Sequence, residues 1–118
     1  MRMPVLIALL APGFAAMAGD IDQNAALQAL QQPGSVLIDV RSAEEFAAGA
    51  LPGANRIDPE QLAQRIGSLV PDKDTPVVVY CRSGRRSSAA QDLLQELGYR
   101  RVINAGGYEQ LDSALRQN

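Results

Sequence analysis

The sequence predicts a single α/β domain with a mostly parallel central sheet of about five strands and helices on both faces. Three observations carry this expectation. The run Pro76 to Tyr80 (PVVVY) is β-branched and apolar throughout, as a strand buried on both faces must be. Short apolar runs alternate with segments of helical periodicity, the order that parallel βαβ units require. The chain has 118 residues, enough for one domain with a modest core, and shows no internal repeat, low-complexity tract or linker after residue 18.

The first eighteen residues read as an address. Arg2 supplies a positive start, Val5 to Ala11 is an unbroken apolar run, and Pro12-Gly13 breaks it. Ala16-Met17-Ala18 offers the small-x-small pattern that signal peptidase cuts. The apolar stretch is too short and interrupted for a spanning helix. The plainer alternatives are a buried N-terminal helix or an uncleaved anchor. A lipoprotein signal would need a cysteine at the cleavage site, and the only cysteine is Cys81. The reading is therefore a cleaved signal peptide over 1–18, a domain over 19–118 and a periplasmic location with no membrane association after cleavage.

From there the elements follow in order. Asp22 to Gln32 carries Ala26, Leu27 and Leu30 at helical spacing, and Pro33-Gly34 ends it. Val36-Leu37-Ile38, leading into Asp39-Val40-Arg41, reads as a buried strand. Ser42-Ala43-Glu44-Glu45 is a capping box for a short helix that stops near Gly49. Leu51-Pro52-Gly53 is a turn and Ala54 to Ile57 a short strand. Pro59 to Val70 is helical, with Leu62, Ile66 and Leu69 on one face. After the strand at Pro76 to Tyr80, a helix runs from about Arg86 to Leu97 with Ala90, Leu93, Leu94 and Leu97 inward, and Gly98 fits its stop. Val102-Ile103 is a strand, Gly106-Gly107 a tight loop, and Tyr108 to Leu115 the last helix. In such sheets ligands sit beyond the carboxyl ends of the strands, and Cys81 falls at one.

Charge and composition exclude more than they name. Without residues 1–18 the chain loses Arg2, so Lys+Arg falls from 11 to 10 against 13 acids, a net charge of −3. That balance gives no general affinity for nucleic acid or anionic membrane, so any anion binding must be local. There is no histidine. A Cys-His hydrolase lacks its base, a structural zinc site lacks its ligands, and a thioredoxin-like motif lacks its second cysteine. No metal or cofactor is expected.

The local chemistry lies in Cys81-Arg82-Ser83-Gly84-Arg85-Arg86-Ser87, between the buried strand and a helix. A helix N-terminus presents unpaired N–H groups, a loop with Gly84 can turn further N–H groups inward as a nest, and Arg82, Arg85 and Arg86 add full charges. Each favours thiolate over thiol, so no imidazole is needed to remove the proton. What remains is attack by a thiolate on an anion whose leaving group needs no strong acid, either phosphate or a sulfane sulfur. The cysteine phosphatases need Cys-x5-Arg to wrap a tetrahedral phosphate. Here Arg86 gives Cys-x4-Arg, a smaller cradle that suits the transfer of one sulfur atom.

This loop resembles the six-residue active-site loop of rhodanese-type sulfurtransferases. The resemblance extends over residues 21–118. Asp39-Val40-Arg41, Glu45-Phe46 and Gly49-Ala50-Leu51-Pro52-Gly53-Ala54 are similar to that family's aspartate-valine-arginine, glutamate-aromatic and glycine-histidine-isoleucine-proline-glycine-alanine stretches. Leu97-Gly98-Tyr99 and Asn104-Ala105-Gly106-Gly107-Tyr108 resemble its C-terminal pattern, and the short exported form resembles single-domain periplasmic members of the phage-shock type. The resemblance implies a ping-pong reaction. Cys81 takes the outer sulfur of thiosulfate, sulfite leaves, and cyanide or a thiol takes the sulfur from the resulting persulfide. Arginine directly after the cysteine, here Arg82, implies a lean to thiosulfate over mercaptopyruvate. Two positions depart from the family pattern: Ala50 stands where histidine is common, and the tryptophan often found after the double glycine is absent.

Each site residue has a plainer alternative. Cys81 could be a small buried hydrophobe. Arg86 could be a solvent-facing residue at a helix start, although an anion or loop-stabilising role is expected of it. Arg82, Ser83, Gly84, Arg85 and Ser87 are the remaining substrate-binding candidates. Ser87 could equally be only a helix cap, and Gly84 a backbone requirement. Asp39 and Arg41 are expected just behind the site, with Asp39 holding an arginine or a loop N–H, or else as a strand-end ion pair alone. Tyr80 reads as core. The rival functions are a persulfide carrier serving a partner protein, and a small phosphatase or arsenate-handling enzyme. A monomer is expected.

Overall fold

The computed structural model describes residues 20–117; the expected leader, 1–18, lies outside them. Four strands form one sheet among these residues: β1 (Val36–Asp39), β2 (Asn55–Arg56), β3 (Val77–Cys81) and β4 (Val102–Gly107). Their order is β2-β1-β3-β4 and every pairing is parallel. The α-helices are α1 (Gln23–Leu30), α2 (Ala43–Ala48), α3 (Leu62–Leu69, entered through a 3-10 turn at Pro59–Gln61), α4 (Arg85–Glu96) and α5 (Tyr108–Gln117). No helix among the described residues is long and apolar enough to cross a membrane.

The period of two along β3 distributes the core. Val77, Val79 and Cys81 face α3 and α4, where Leu62, Ile66, Ala90 and Leu94 are buried. Val78 and Tyr80 face α1 and α5, where Ala26, Ala29 and Leu111 are buried. All five residues of β3 are buried, in keeping with the continuous apolar run that marks it. Cys81 thus belongs to the face covered by α4, the helix that follows its own loop.

The structure departs from expectation in three places. Among the described residues the sheet has four strands where about five were expected, and beyond β4 they show a single bridge, Ile21 to Asn104. The chain turns away there, with the Asp22 carboxylate accepting the Ala25 N–H at 3.0 Å to start α1. Gly106-Gly107, expected as a loop, is the end of β4. The register moves from Val79–Asn104 to Tyr80–Gly106, so Ala105 is an extra residue, a β-bulge with Gly106 at φ 85°. Bulges bend a strand and re-aim its side chains, and they recur beside active sites. Leu69, expected on the inner face of α3, is exposed, and Val70 fills the core position instead.

Candidate active site

Cys81 is the last residue of β3, and the chain turns at once into α4 through Arg82-Ser83-Gly84. Gly84 is the N-cap at φ 101°, a left-handed conformation that a residue with a side chain adopts only under strain. A Cβ there would also lie 2.7 Å from Cδ1 of Ile21. The turn aims backbone donors at the sulfur: Gly84 N lies 2.9 Å and Ser87 N 3.3 Å from Cys81 Sγ. Ser87 Oγ is 3.4 Å away. The neutral thiol donates to that hydroxyl oxygen; once the thiol ionises, the hydroxyl can turn its proton to the sulfur.

Two effects set the thiol's acidity. Burial is the largest and pushes its pKa up. The Ser87 hydroxyl and the N–H groups of Ser87, Gly84 and Ser83 together outweigh it, so the thiol lies below its ordinary value. The donors to the sulfur are therefore amides and one hydroxyl. The arginines are placed differently from one another. Arg82 lines the neighbouring cleft. Arg86 pairs with Glu45 at 3.2 Å. Arg85, the first residue of α4, is exposed. Ser83 is also exposed, and it contributes its backbone N–H. Ser87 is fully buried, and its hydroxyl donates to Gly84 O at 3.1 Å.

Cys81 lies opposite Gly107 in the register of β3 and β4. The residues that follow each strand, Arg82 and Tyr108, therefore emerge side by side. They line a cleft of about 420 Å³ together with Arg41, Glu45, Gly49 and Gln110. Cys81 itself is 0% exposed, beneath the floor of the loop. The two backbones meet tightly at Gly107, where a Cβ would sit 2.7 Å from the Arg82 carbonyl oxygen.

Behind the cleft, Asp39 and Arg41 form a buried pair. Arg41 Nη2 and Nε donate to Asp39 Oδ2 at 2.8 and 3.0 Å, and Arg41 N donates to Oδ1 at 2.7 Å. Asp39 thus holds both an arginine and a loop N–H. Arg41 also donates to the Gly49 carbonyl at 2.7 Å and lies 4.2 Å from the Tyr108 ring centroid. A second tie crosses to the loop. Glu45 accepts from Ser42 N at 2.9 Å in a complete capping box, and its Oε1 also receives Arg86 Nη2.

The matching region coincides with this architecture: residues 22–114 fit the rhodanese-like domain model. The chain belongs to the rhodanese family.

Among its relatives, the thiosulfate sulfurtransferase PspE of Escherichia coli (strain K12) is 42% identical over 74 residues, 63% of this chain and 71% of that one. A sulfurtransferase of Allochromatium vinosum is 37% identical over 92 residues, 77% of this chain and 84% of that one. Among solved structures, a rhodanese with anions from E. coli aligns with TM-score 0.62 and 41% identity, covering 64% of this chain and 88% of its own. The human single-domain sulfurtransferase TSTD1 aligns with TM-score 0.66 and 27% identity, over 86% and 99%. The two departures from the rhodanese pattern now have places. Ala50 lies between Gly49, whose carbonyl holds Arg41, and Leu51, whose N–H donates to Tyr80 Oη at 3.3 Å. Tyr108 follows the double glycine and supplies an aromatic wall to the cleft.

Four residues around the loop escaped sequence reasoning as site residues: Glu45, Ser88, Asn104 and Tyr108. Asn104 carried a usable signal, since an amide in an otherwise apolar strand must find hydrogen-bond partners when buried. Tyr108 looked only like the start of a helix.

Proposed function

We propose that this rhodanese is a thiosulfate sulfurtransferase working through a Cys81 persulfide. The observation that carries the reading is the pair of inward N–H donors at 2.9 and 3.3 Å, with the Ser87 hydroxyl at 3.4 Å, around a thiol at the start of a Cys-x4-Arg loop. The names of its relatives agree with it. The Cys81 thiolate attacks the outer sulfur of thiosulfate. The new S–S bond forms as the old one breaks, and sulfite leaves with the electron pair. Negative charge stays on the terminal persulfide sulfur, where amides fixed by the fold stabilise it without reorganising. Cyanide or a thiolate then attacks that sulfur and frees the Cys81 thiolate. No proton moves to or from the loop in either half, which suits a site without histidine.

Of the loop's three arginines, Arg82 is the one that lines the cleft, and it is the best placed of them to receive the donor anion. Arg86 acts on the loop through Glu45. Asp39 and Arg41 hold the cleft's far wall, and Ser83, Gly84, Arg85 and Ser87 belong to the loop that binds substrate. The protein works as a monomer in the periplasm after removal of residues 1–18. The test is thiocyanate production from thiosulfate and cyanide. Cys81→Ser is expected to abolish it, and retained turnover in that variant overturns the reading. Negligible turnover in the wild type, with one extra sulfur atom on Cys81 that only a partner protein removes, would replace it with the carrier reading.

A further inference from the structure

Gly84 gives the shortest contact to the sulfur, yet glycine is free to turn at both φ and ψ, so local sterics do not fix where its N–H points. Something else must hold the residue. Its carbonyl oxygen accepts from Ser88 Oγ at 2.8 Å, Ser88 N at 3.0 Å and Ser87 Oγ at 3.1 Å. The Ser87 hydroxyl has one proton, and the thiolate competes for it. When it turns to the sulfur, Ser88 is left holding the carbonyl.

Ser88 is held in turn. Asn104 Nδ2 donates to Ser88 Oγ at 2.9 Å, which leaves the Ser88 proton directed at Gly84. Asn104 is fully buried on β4, beside the bulge. Its Oδ1 accepts the Gly106 N–H at 2.9 Å, and its backbone carbonyl accepts Asp22 N at 2.9 Å. The amide is therefore fixed at both ends, and the bulge at Ala105 is part of what fixes it.

We infer that Asn104 and Ser88 are positioning residues: the relay from Asn104 through the Ser88 hydroxyl to the Gly84 carbonyl aims the Gly84 N–H at the Cys81 sulfur. Neither residue touches the sulfur in the relay. The bulge on β4 thereby sets the geometry of a loop on β3. The inference rests on Cys81 being the nucleophile proposed above, and its test does not need sulfur transfer to be the reaction.

The experiment measures the rate at which iodoacetamide alkylates Cys81 as a function of pH in the full domain, beside thermal unfolding of each variant. Ser88→Ala removes the hydroxyl, favours the helix and alters no charge, so Arg41, Arg82, Arg85, Arg86, Asp39 and Glu45 around the loop are unchanged. It is expected to move the alkylation profile to higher pH. The rate at neutral pH should fall roughly three- to tenfold, the range that loss of a net hydrogen bond gives. Ser88→Thr, which keeps the hydroxyl, is expected to restore the profile. Asn104→Ala should act in the same direction, and Ser88→Ala carries the test if that variant does not fold. A wild-type alkylation profile in Ser88→Ala overturns the inference. So does a slowed profile that Ser88→Thr fails to restore. Reduced alkylation together with absent sulfur transfer in the wild type would sustain the relay and reject the sulfurtransferase reading.

Discussion

Ser87 serves the sulfur twice, through its amide and through its hydroxyl, and its burial keeps water from competing for either. Burial alone would push the Cys81 thiol up; these donors, together with the Gly84 and Ser83 N–H groups, reverse the sign. Removing the hydroxyl in Ser87→Ala is expected to slow turnover and shift the alkylation profile of Cys81 to higher pH, read with iodoacetamide over a pH series. The same depression has a stability consequence. The folded thiol loses its proton more readily than the unfolded one, so its contribution is fully present above the unfolded value. It fades as pH falls through the lower, folded value. Gly84 is constrained in a second way. Gly84→Ala meets both the left-handed backbone and the Ile21 side chain, so it should lower kcat/KM as well as stability, measured by steady-state kinetics and urea unfolding.

Two elements carry the site's frame. The β1 end holds the Asp39–Arg41 pair, with Asp39 0% and Arg41 4% exposed. Such a pair is poor evidence of net stabilisation, yet breaking it leaves one charge buried alone. Asp39→Asn is expected to cost about 3–5 kcal/mol in urea unfolding and to loosen the Gly49 turn that Arg41 also holds. Helix α2 has a different exposure to acid. The Glu45 carboxyl lies below its usual range, first because it accepts the Ser42 N–H, then because Arg86 donates to it. Its contribution is present above the unfolded carboxylate range and is lost as pH falls through the lowered folded value. Glu45→Ala removes half of the capping box and the tie to Arg86, and a loss of about 1 kcal/mol in unfolding is expected.

At the scale of the whole molecule, a four-stranded parallel sheet brings the ends of β1, β3 and β4 to one edge. The cleft, the loop and the buried ion pair share that edge, as the carboxyl-end rule for parallel sheets requires. The proposed export gives a whole-chain prediction. Protein recovered from the periplasm is expected to begin at Gly19, read by intact mass; recovery of the full chain there would mean an uncleaved anchor. Ile21, the third residue after that cut, already packs beside Gly84 and Gly106, so the mature domain is expected to need nearly its first residue. Deleting residues 19–22 should reduce thermal stability.

The sequence alone determined the alternation of strand and helix, because a β-branched run such as Val77–Val79 has few other uses and a capping box such as Ser42–Glu45 acts locally. It also determined where the thiol falls, since Cys81 ends the most apolar strand. It placed the amide cradle at that end, because Gly84 and a helix start follow at once. It could not assign the three arginines separate tasks. Whether Arg86 meets a substrate or Glu45 depends on a partner 41 residues away in the chain. The bulge at Ala105 and the relay from Asn104 to Gly84 were hidden for the same reason. They arise from the register between β3 and β4, a long-range pairing that no local pattern encodes. Only tertiary structure decided which donors reach the sulfur, because their direction is set by contacts between strands and helices that meet only in the folded chain.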